Sequence, residues 1–502
     1  MAARTKVGAG VISWERFRGR NGVDDPAMLP PDMGTEAMNW VITAQGLGER
    51  RRGTKNAAIT GTFSGYASLK RFVPAQDERQ AQLVFSTFDS PAKFMTITPT
   101  SAPAATELTQ SDQLVGSPIH VSYAVGNGKL FMAYKSTAGN RLHVYNPAAG
   151  TTIRLAGVTA PPAPTVANRG APGSYPAVVR YYRVQFKSAT GAISALGTAS
   201  AAFTPSGTND GVRVTLPAYP ADVTQSRVYG SPDGTLYYLL SGWIASGVGI
   251  YDDFTLPSTY GTRPAAPLEG SRYPLPSAKF ILWDGAHLLL FGTHGDQTGN
   301  DLPAVPGRVY ITAALDSTVE GGDDESISMT TEIKGYIDLN RNGGAEDRAI
   351  AGQIDGNILV FQSRGLWLLK PTGSAQRPYA RIALSREIGA VSQWSTFAGE
   401  DEAGRPAIYW LDPDRGPYRY GANGLEWLGY DVQDLWKNAN LNTGATDACG
   451  VYDPTTRRCY WWIATTQNYP TLGLIFHVAE ARLTQTQGAR YGWTRFNGFA
   501  AS

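Results

Sequence analysis

Asp338-Leu339-Asn340-Arg341-Asn342-Gly343 sets three oxygen-bearing side chains at alternate positions ahead of a glycine. This is the first half of the D-x-[DN]-x-[DN]-G calcium loop, in which a hard cation takes oxygen ligands and the glycine permits a sharp turn. Asp338, Asn340 and Asn342 are therefore the candidate metal ligands. The twelfth position is Ala349, which has no carboxylate to close the loop, although Glu346 and Asp347 stand close by. The same string also reads as a turn rich in Asx and Gly ahead of a strand starting near Arg348.

Other reactive residue types are present without the spacing that chemistry needs. Ser231-Pro232-Asp233-Gly234 misses the S-x-D-x-G-x-x-W/F box of glycosidase propellers by one position. Asp412-Pro413-Asp414-Arg415-Gly416-Pro417 has the D-x-G step but no leading Ser or Thr. No two carboxylates are paired by spacing as acid and base. There is no GxxxxGK[ST], HExxH or GxSxG string. His120, His143, His287, His294 and His477 are scattered, and His143 and His287 read as structural residues of strands. No catalytic residue and no cofactor are expected. Cys449 and Cys459 flank a hairpin around Val451 to Thr456 and are read as free thiols. A three- or five-residue loop would set them opposite each other, and a four-residue loop would send them to opposite faces. Arg50-Arg51-Arg52 with Lys55 is the clearest basic run, and it reads as a solvated turn.

The elements that must position these residues are strands. Leu83 to Phe85, Lys129 to Tyr134, His287 to Phe291, Ile358 to Phe361, Ala407 to Leu411 and Cys459 to Ile463 are short strand-like runs. Several follow Gly126-Asn127-Gly128, Asp284-Gly285 or Asp355-Gly356, turns whose residues accept positive φ. One short helix, or a loop with one turn, is expected around Asp431 to Asn440. The strand-opening turns at Asp77, Asn127, Asp284, Asp355, Gly404 and Asp453 recur at roughly 50-residue spacing, the blade length of propellers, once a foreign segment is removed. That segment, residues 160–267, opens on the stiff linker Pro161-Pro162-Ala163-Pro164. It carries strand-like runs such as Tyr181 to Phe186 and Val212 to Leu216, spaced as in a β-sandwich. The expected fold is all-β: a propeller of six or seven blades with an inserted β-sandwich. The domains are residues 1–159 (an N-terminal arm and the first blades), 160–267 (the insert) and 268–502 (the remaining blades). Leu472 to Phe496 is the candidate seventh blade, closed by an N-terminal strand.

Composition agrees. The 502 residues include 56 Gly and 32 Pro, favouring tight turns over long helices. Charged residues are 17% and aromatic residues 11%, with 12 Trp and 25 Tyr. Such a chain can bury enough apolar area to offset its ordering entropy. A net charge of +2 is too balanced for a protein whose main task is wrapping nucleic acid. No apolar run approaches a membrane span, and Met1 to Gly10 carries no apolar stretch of a secretory signal.

Several stretches, in order, resemble the β-propeller virion proteins of tailed bacteriophages, specifically the tail tubular or nozzle proteins of short-tailed phages. Leu29-Pro30-Pro31-Asp32-Met33-Gly34 leads to Asn39-Trp40, Gly48 and Arg51-Arg52-Gly53. Asp338 to Asp347 is similar to the acidic turn before a blade. Asp355 to Phe361 with Gly365 to Leu369 resembles a paired blade hairpin, and Ser385 to Ser392 an inter-blade link. Tyr409 to Leu411 through Tyr418 to Tyr420 resembles the next blade. Val451 to Pro454 and Trp493 to Phe496 resemble the last. The insert resembles a fibronectin type III module in length and in its Tyr181-Tyr182-Arg183-Val184-Gln185-Phe186 run. The resemblance implies a structural, non-enzymatic tail component: a ring of six copies through which double-stranded DNA passes at ejection. It also implies neighbouring adaptor and fibre proteins, contact with the host envelope at infection, and a place in the virion tail after assembly in host cytoplasm. The competing reading is a receptor-binding, glycan-binding or glycan-cleaving propeller at the tail tip.

Overall fold

The computed structural model describes residues 19–20, 33–34, 40–42, 48–50, 66–74, 81–87, 92–97, 105–110, 121–135, 142–149, 152–294, 302, 305, 307–314, 325–330, 333–339, 347–436, 448–464, 471–478 and 492–496. The chain divides into two compact units. One comprises Met1–Ala57, Leu339–Gly373 and Pro378–Ser502, and the other Ala58–Asp338 with Ser374–Arg377.

In the Ala58–Asp338 unit, three antiparallel sheets pair their strands in chain order. Sheet 1 holds Tyr66–Phe72, Gln82–Thr87, Phe94–Ile97 and Ala105–Glu107. Sheet 2 holds Ser122–Gly126, Lys129–Ala133, His143–Tyr145 and Thr152–Leu155, with Thr109–Gln110 added in parallel at its edge. Sheet 3 holds Ala278–Trp283, Leu288–Thr293, Arg308–Ile311 and Tyr336–Asp338. Asn127 and Gly128 both have positive φ, at 51° and 72°, the geometry of a tight hairpin turn.

Side chains alternate across a strand, and here both faces are apolar. Leu130 and Met132 pack with Phe72, Val84 and Phe94 of sheet 1. Phe131 and Ala133, between them in sequence, pack with Leu288, Leu290 and Tyr310 of sheet 3. Sheet 2 is thus the middle layer of a stack.

The other unit repeats the arrangement. Sheet 4 holds Asp347–Ile354, Asn357–Gln362, Gly365–Ser374 and Arg377–Ser385. Sheet 5 holds Phe397–Glu400, Pro406–Asp412, Gly416–Gly421 and Gly424–Trp427, and sheet 6 holds Cys449–Asp453, Arg458–Ile463, Leu472–His477 and Trp493–Phe496. Ile408 and Trp410 face Phe361 and Leu366 of sheet 4, whereas Tyr409 and Leu411 face Trp461 and Phe476 of sheet 6. Sequential antiparallel meanders buried on both faces are the blades of a β-propeller, and the chain is of that fold class.

Leu472–His477 and Trp493–Phe496 do not form a seventh blade. They are the third and fourth strands of sheet 6, with Cys459 opposite Phe476 and Phe476 opposite Trp493. The N-terminal strands Gly19–Arg20 and Trp40–Ile42 lie near that fourth strand. The expected short helix is a 3₁₀ turn at Tyr430–Val432 running into Gln433–Trp436.

The insert is a β-sandwich. One sheet holds Thr165–Asn168, Val212–Thr215 and Ile250–Asp253, and the other Tyr181–Ser188, Val223–Ser231, Tyr238–Leu239 and Ile244–Ala245. Tyr182, Val184 and Phe186 meet Val212, Val214 and Val228 in a core of its own.

Candidate functional site

The three expected metal ligands are not brought together by what is described. Asp338 ends the last strand of sheet 3, and both its carboxylate oxygens accept from Arg308, Oδ1 from Nε at 2.7 Å and Oδ2 from Nη2 at 3.0 Å. Asn340 and Asn342 lie outside the described residues, as do Glu346, Arg51, Arg52, Lys55, Asp77 and His120. Among the described residues, no three or more His, Cys, Asp or Glu side chains are grouped to hold a metal.

The acidic turns fasten their own backbone. Asp233 Oδ1 accepts the amides of Thr235 at 2.8 Å and Leu236 at 3.2 Å, bonds that hold its carboxyl below the usual range. Asp412 Oδ1 accepts from Asp414 and Arg415 at 3.0 and 2.8 Å, and its Oδ2 from Gly389 at 2.9 Å. Burial nonetheless pushes the Asp412 carboxyl up, against those amide bonds. Asp284 and Asp453 close their hairpins in the same way, on the amides of His287 and Thr455. Of the residues that mark the repeat in sequence, Asp284 and Asp453 are therefore turn clasps.

The histidines and cysteines are structural where described. His143 stacks on Tyr134 and shares a 2.8 Å hydrogen bond with its hydroxyl. His477 Nε2 lies 2.9 Å from the Thr494 hydroxyl. Burial lowers His294 to about 4. Asp453 pairs with Arg458 across a four-residue loop, and Cys449 pairs with Trp462 while Cys459 pairs with Tyr452. The two thiols therefore face opposite sides and are not joined in a disulfide. Burial pushes the Cys459 thiol well up, which keeps it protonated.

Three buried polar nodes were not read from the sequence, and in the first of them the members are up to 196 residues apart. Glu325, only 1% exposed, accepts from Lys129 at 2.7 Å, from Arg154 in a two-pronged pair at 2.7 Å each, and from the Gly157 amide at 3.2 Å. Burial pushes its carboxyl up, but Arg154 and Lys129 outweigh that and hold it at about 2. Gly157 has φ +74°, and a Cβ there would sit 2.5 Å from the Glu325 carbonyl oxygen, so only glycine fits. Next to Glu325, Ser326–Ile327 pairs with Tyr273–Pro274. The node thus joins sheet 2 to the chain on both sides of the insert.

In sheet 5, Arg419 is 3% exposed and binds Glu402 at 2.7 Å and also Glu426. Inside the insert, Asp253 Oδ2 accepts the hydroxyls of Tyr260 at 2.5 Å, Tyr182 at 2.8 Å and Tyr175 at 3.4 Å. Burial, with the Asp253 charge behind it, pushes the Tyr182 and Tyr260 hydroxyls up. These nodes hold charge in place. What they do chemically is fasten.

The segment Ser385 to Thr396 performs the same service between sheets. Ala390 donates its amide to Gln362 of sheet 4 at 3.4 Å, and Val391 to Leu411 of sheet 5 at 2.8 Å. The Ser392 hydroxyl donates to the Ala448 carbonyl at 2.7 Å, and the Gly450 amide of sheet 6 reaches Trp394 at 2.7 Å. One strip of chain is thereby hydrogen-bonded to three consecutive sheets.

No family model and no curated protein matches the chain. Among solved structures it is similar to the Dos1 propeller, at 9% identity and TM-score 0.24, covering 68% of this chain and 64% of that one. It is similar to Kluyveromyces lactis Hsv2p at 10% identity and TM-score 0.27, covering 87% and 98%. It is similar to the Myceliophteria thermophila Cps50 (Swd1) β-propeller domain at 13% identity and TM-score 0.24, covering 72% and 86%. All three fall below 25% identity and a TM-score of 0.5, and they bear on no function.

Proposed function

We infer that this chain is a wall subunit of a bacteriophage tail, a nozzle or tail-tube-like protein. Six copies form a ring, and double-stranded DNA passes through it at ejection. Its partners are then further copies of itself, the adjoining adaptor and fibre proteins, the DNA in transit and the host envelope. Its place is the virion tail, and its role is structural, not catalytic. The order of motifs from Leu29 to Phe496 supports the phage assignment.

The observation that carries the mechanical part is the two-faced burial of middle strands, with Ile408 and Trp410 against one neighbour and Tyr409 and Leu411 against the other. A conduit wall needs rigidity, and dense apolar packing on both faces of a sheet resists deformation. The buried ion pairs and the three-sheet link add fixed geometry. A net charge of +2 keeps phosphate attraction low overall, which suits DNA that must move, because phosphate contacts accumulate. Gold-labelled antibody against the chain, applied to intact phage particles, is expected to decorate the tail. Label confined to heads, or absent from particles, would refute the assignment.

A further inference from the structure

The two sheets of the insert end differently. In the four-stranded sheet, the chain itself covers both outer edges. Tyr182, Val184 and Phe186 accept the amides of Ser200, Gly197 and Ser194 at 2.8, 2.8 and 2.9 Å. At the far side Leu239 donates to Pro264 at 2.9 Å and Ala266 to Tyr237 at 2.8 Å. The three-stranded sheet has no such cover. Its order is Thr165–Asn168, Val212–Thr215, Ile250–Asp253, and among the described residues neither outer strand has a second pairing partner.

The direction of the unpaired groups follows from the ladder. Arg169 donates its amide inward to Gly211 at 3.2 Å, and Gly249 accepts inward from Leu216 at 2.9 Å. Backbone groups of an antiparallel strand point to alternate sides. Val166 and Asn168 on one edge, and Ile250 and Asp252 on the other, therefore turn N–H and C=O away from the sheet. Thr165, Ala167 and Asn168 are exposed, as are Ile250 and the neighbouring Val248.

Open edges are ordinarily guarded by charge, proline or a bulge. Thr165-Val166-Ala167-Asn168 contains neither charge nor proline. Pro164 before it has no N–H and ends the ladder there. On the other edge, Asp252 is neutralised within the chain by Arg213 at 2.8 Å and Arg169 at 3.1 Å. An uncharged edge meets a neutralised one without repulsion, whereas two Ile250–Asp253 edges would bring two acidic strands together.

We propose that Thr165–Asn168 of one copy pairs with Ile250–Asp253 of the next, so that the insert sheets of neighbouring copies run on as one. A contact between unlike edges is head-to-tail, the type that closes into rings. Both strands lie antiparallel to Val212–Thr215 and so point the same way. A ring of six turns each copy by a sixth of a circle, which cannot reverse a strand, so the junction is a parallel ladder. The proposal deepens the ring reading and rests on it for choosing the unlike edge over a second Thr165–Asn168.

The test uses the full-length chain carrying Cys449→Ser, which removes the half-buried native thiol. Thr165→Cys and Ile250→Cys are placed in separate chains, at positions level with each other across Thr215. Within one chain they lie two strand spacings apart, about 9.5 Å, beyond the roughly 7 Å that a disulfide spans. Any link is therefore between copies. Under a mild oxidant the mixture is expected to give disulfide-linked pairs on a non-reducing gel, and each chain alone none. Adding Val166→Pro removes an outward N–H and no bond of the sheet, and it should abolish the linked pair with the cooperative melt retained. The absence of a link in the mixture overturns the proposal. So does a link in the Thr165→Cys chain alone, which puts a second copy of the same edge there, or a link that survives Val166→Pro. The ring reading fails separately: linked chains that never close around a hole end that reading and leave the edge pairing standing, and rings without the link do the reverse.

Discussion

The strands Lys129–Ala133 and Pro406–Asp412 differ from Tyr181–Ser188 in what their alternate residues meet. In the first two, odd and even positions are both apolar and both buried, each set against a different neighbouring sheet. In the sandwich strand, Tyr182, Val184 and Phe186 enter the core, while Arg183, Gln185 and Lys187 point to the other face, where Gln185 is buried against Arg227 and Ser194 and the two cations are half-buried. That outer face is held by polar contacts. Arg183 lies 4.6 Å from the Tyr237 ring, and Lys187 and Arg227 lie 5.0 and 4.4 Å from Trp243. A stacked sheet has no outer face and must be apolar twice over. A sandwich sheet closes its apolar side on one partner, and its other side can carry polar and charged residues, here Arg183, Gln185, Lys187 and Arg227.

Substitution by parity tests this difference. Trp410→Ala should cost about 3–5 kcal/mol in urea unfolding, and Tyr409→Ala, one residue away on the opposite face, a cost of similar order. If either proves neutral, sheet 5 is not buried on both sides. Next comes the bolt beside the insert. Glu325→Gln leaves Lys129 and Arg154 facing a neutral amide and should cost about 3 kcal/mol.

The Glu325 effect has a pH signature. Its carboxyl is held below the ordinary value of 4.5, at about 2 when folded. Its contribution is therefore complete above pH 4.5 and is lost as pH falls towards 2. The stability gap between wild type and Glu325→Gln should close over that window. A gap independent of pH would mean that the charge is not what holds the node. Within the insert, Asp253→Ala strips the acceptor from Tyr182 and Tyr260 and should cost about 2 kcal/mol. Hydrogen exchange should localise this loss to residues 165–253. Asp338→Asn touches a half-exposed pair and should change stability by less than about 1 kcal/mol. Lys187→Ala, on the outer face of the sandwich, is expected within about 0.5 kcal/mol of wild type. A large loss there would erase the contrast between the two regions.

The parts of the fold that were legible in sequence are local. Asn127-Gly128 and Asp355-Gly356 take positive φ because their residues tolerate it, and they mark hairpins wherever they fall. The insert stood out because it interrupts the roughly 50-residue spacing of the turns and opens on Pro161-Pro162-Ala163-Pro164, whereas several blade strands are continuous apolar runs. Continuous runs carry no phase, which is why Leu472–His477, buried at every position, read as the start of a new unit and not as the third strand of sheet 6. Partnerships were the illegible part. Asp338 sits in a string that spells a cation loop, yet its carboxylate is taken by Arg308, 30 residues earlier. Glu325 answers to Arg154, 171 residues away, and no local pattern announces such a pair.

The central claim is that these rigid sheets build a wall around a passage. Negative-stain imaging of the purified full-length chain tests it most directly. The account predicts closed rings of six copies with an open central hole. A population of single-copy particles without a hole, at concentrations where tail proteins assemble, would contradict it.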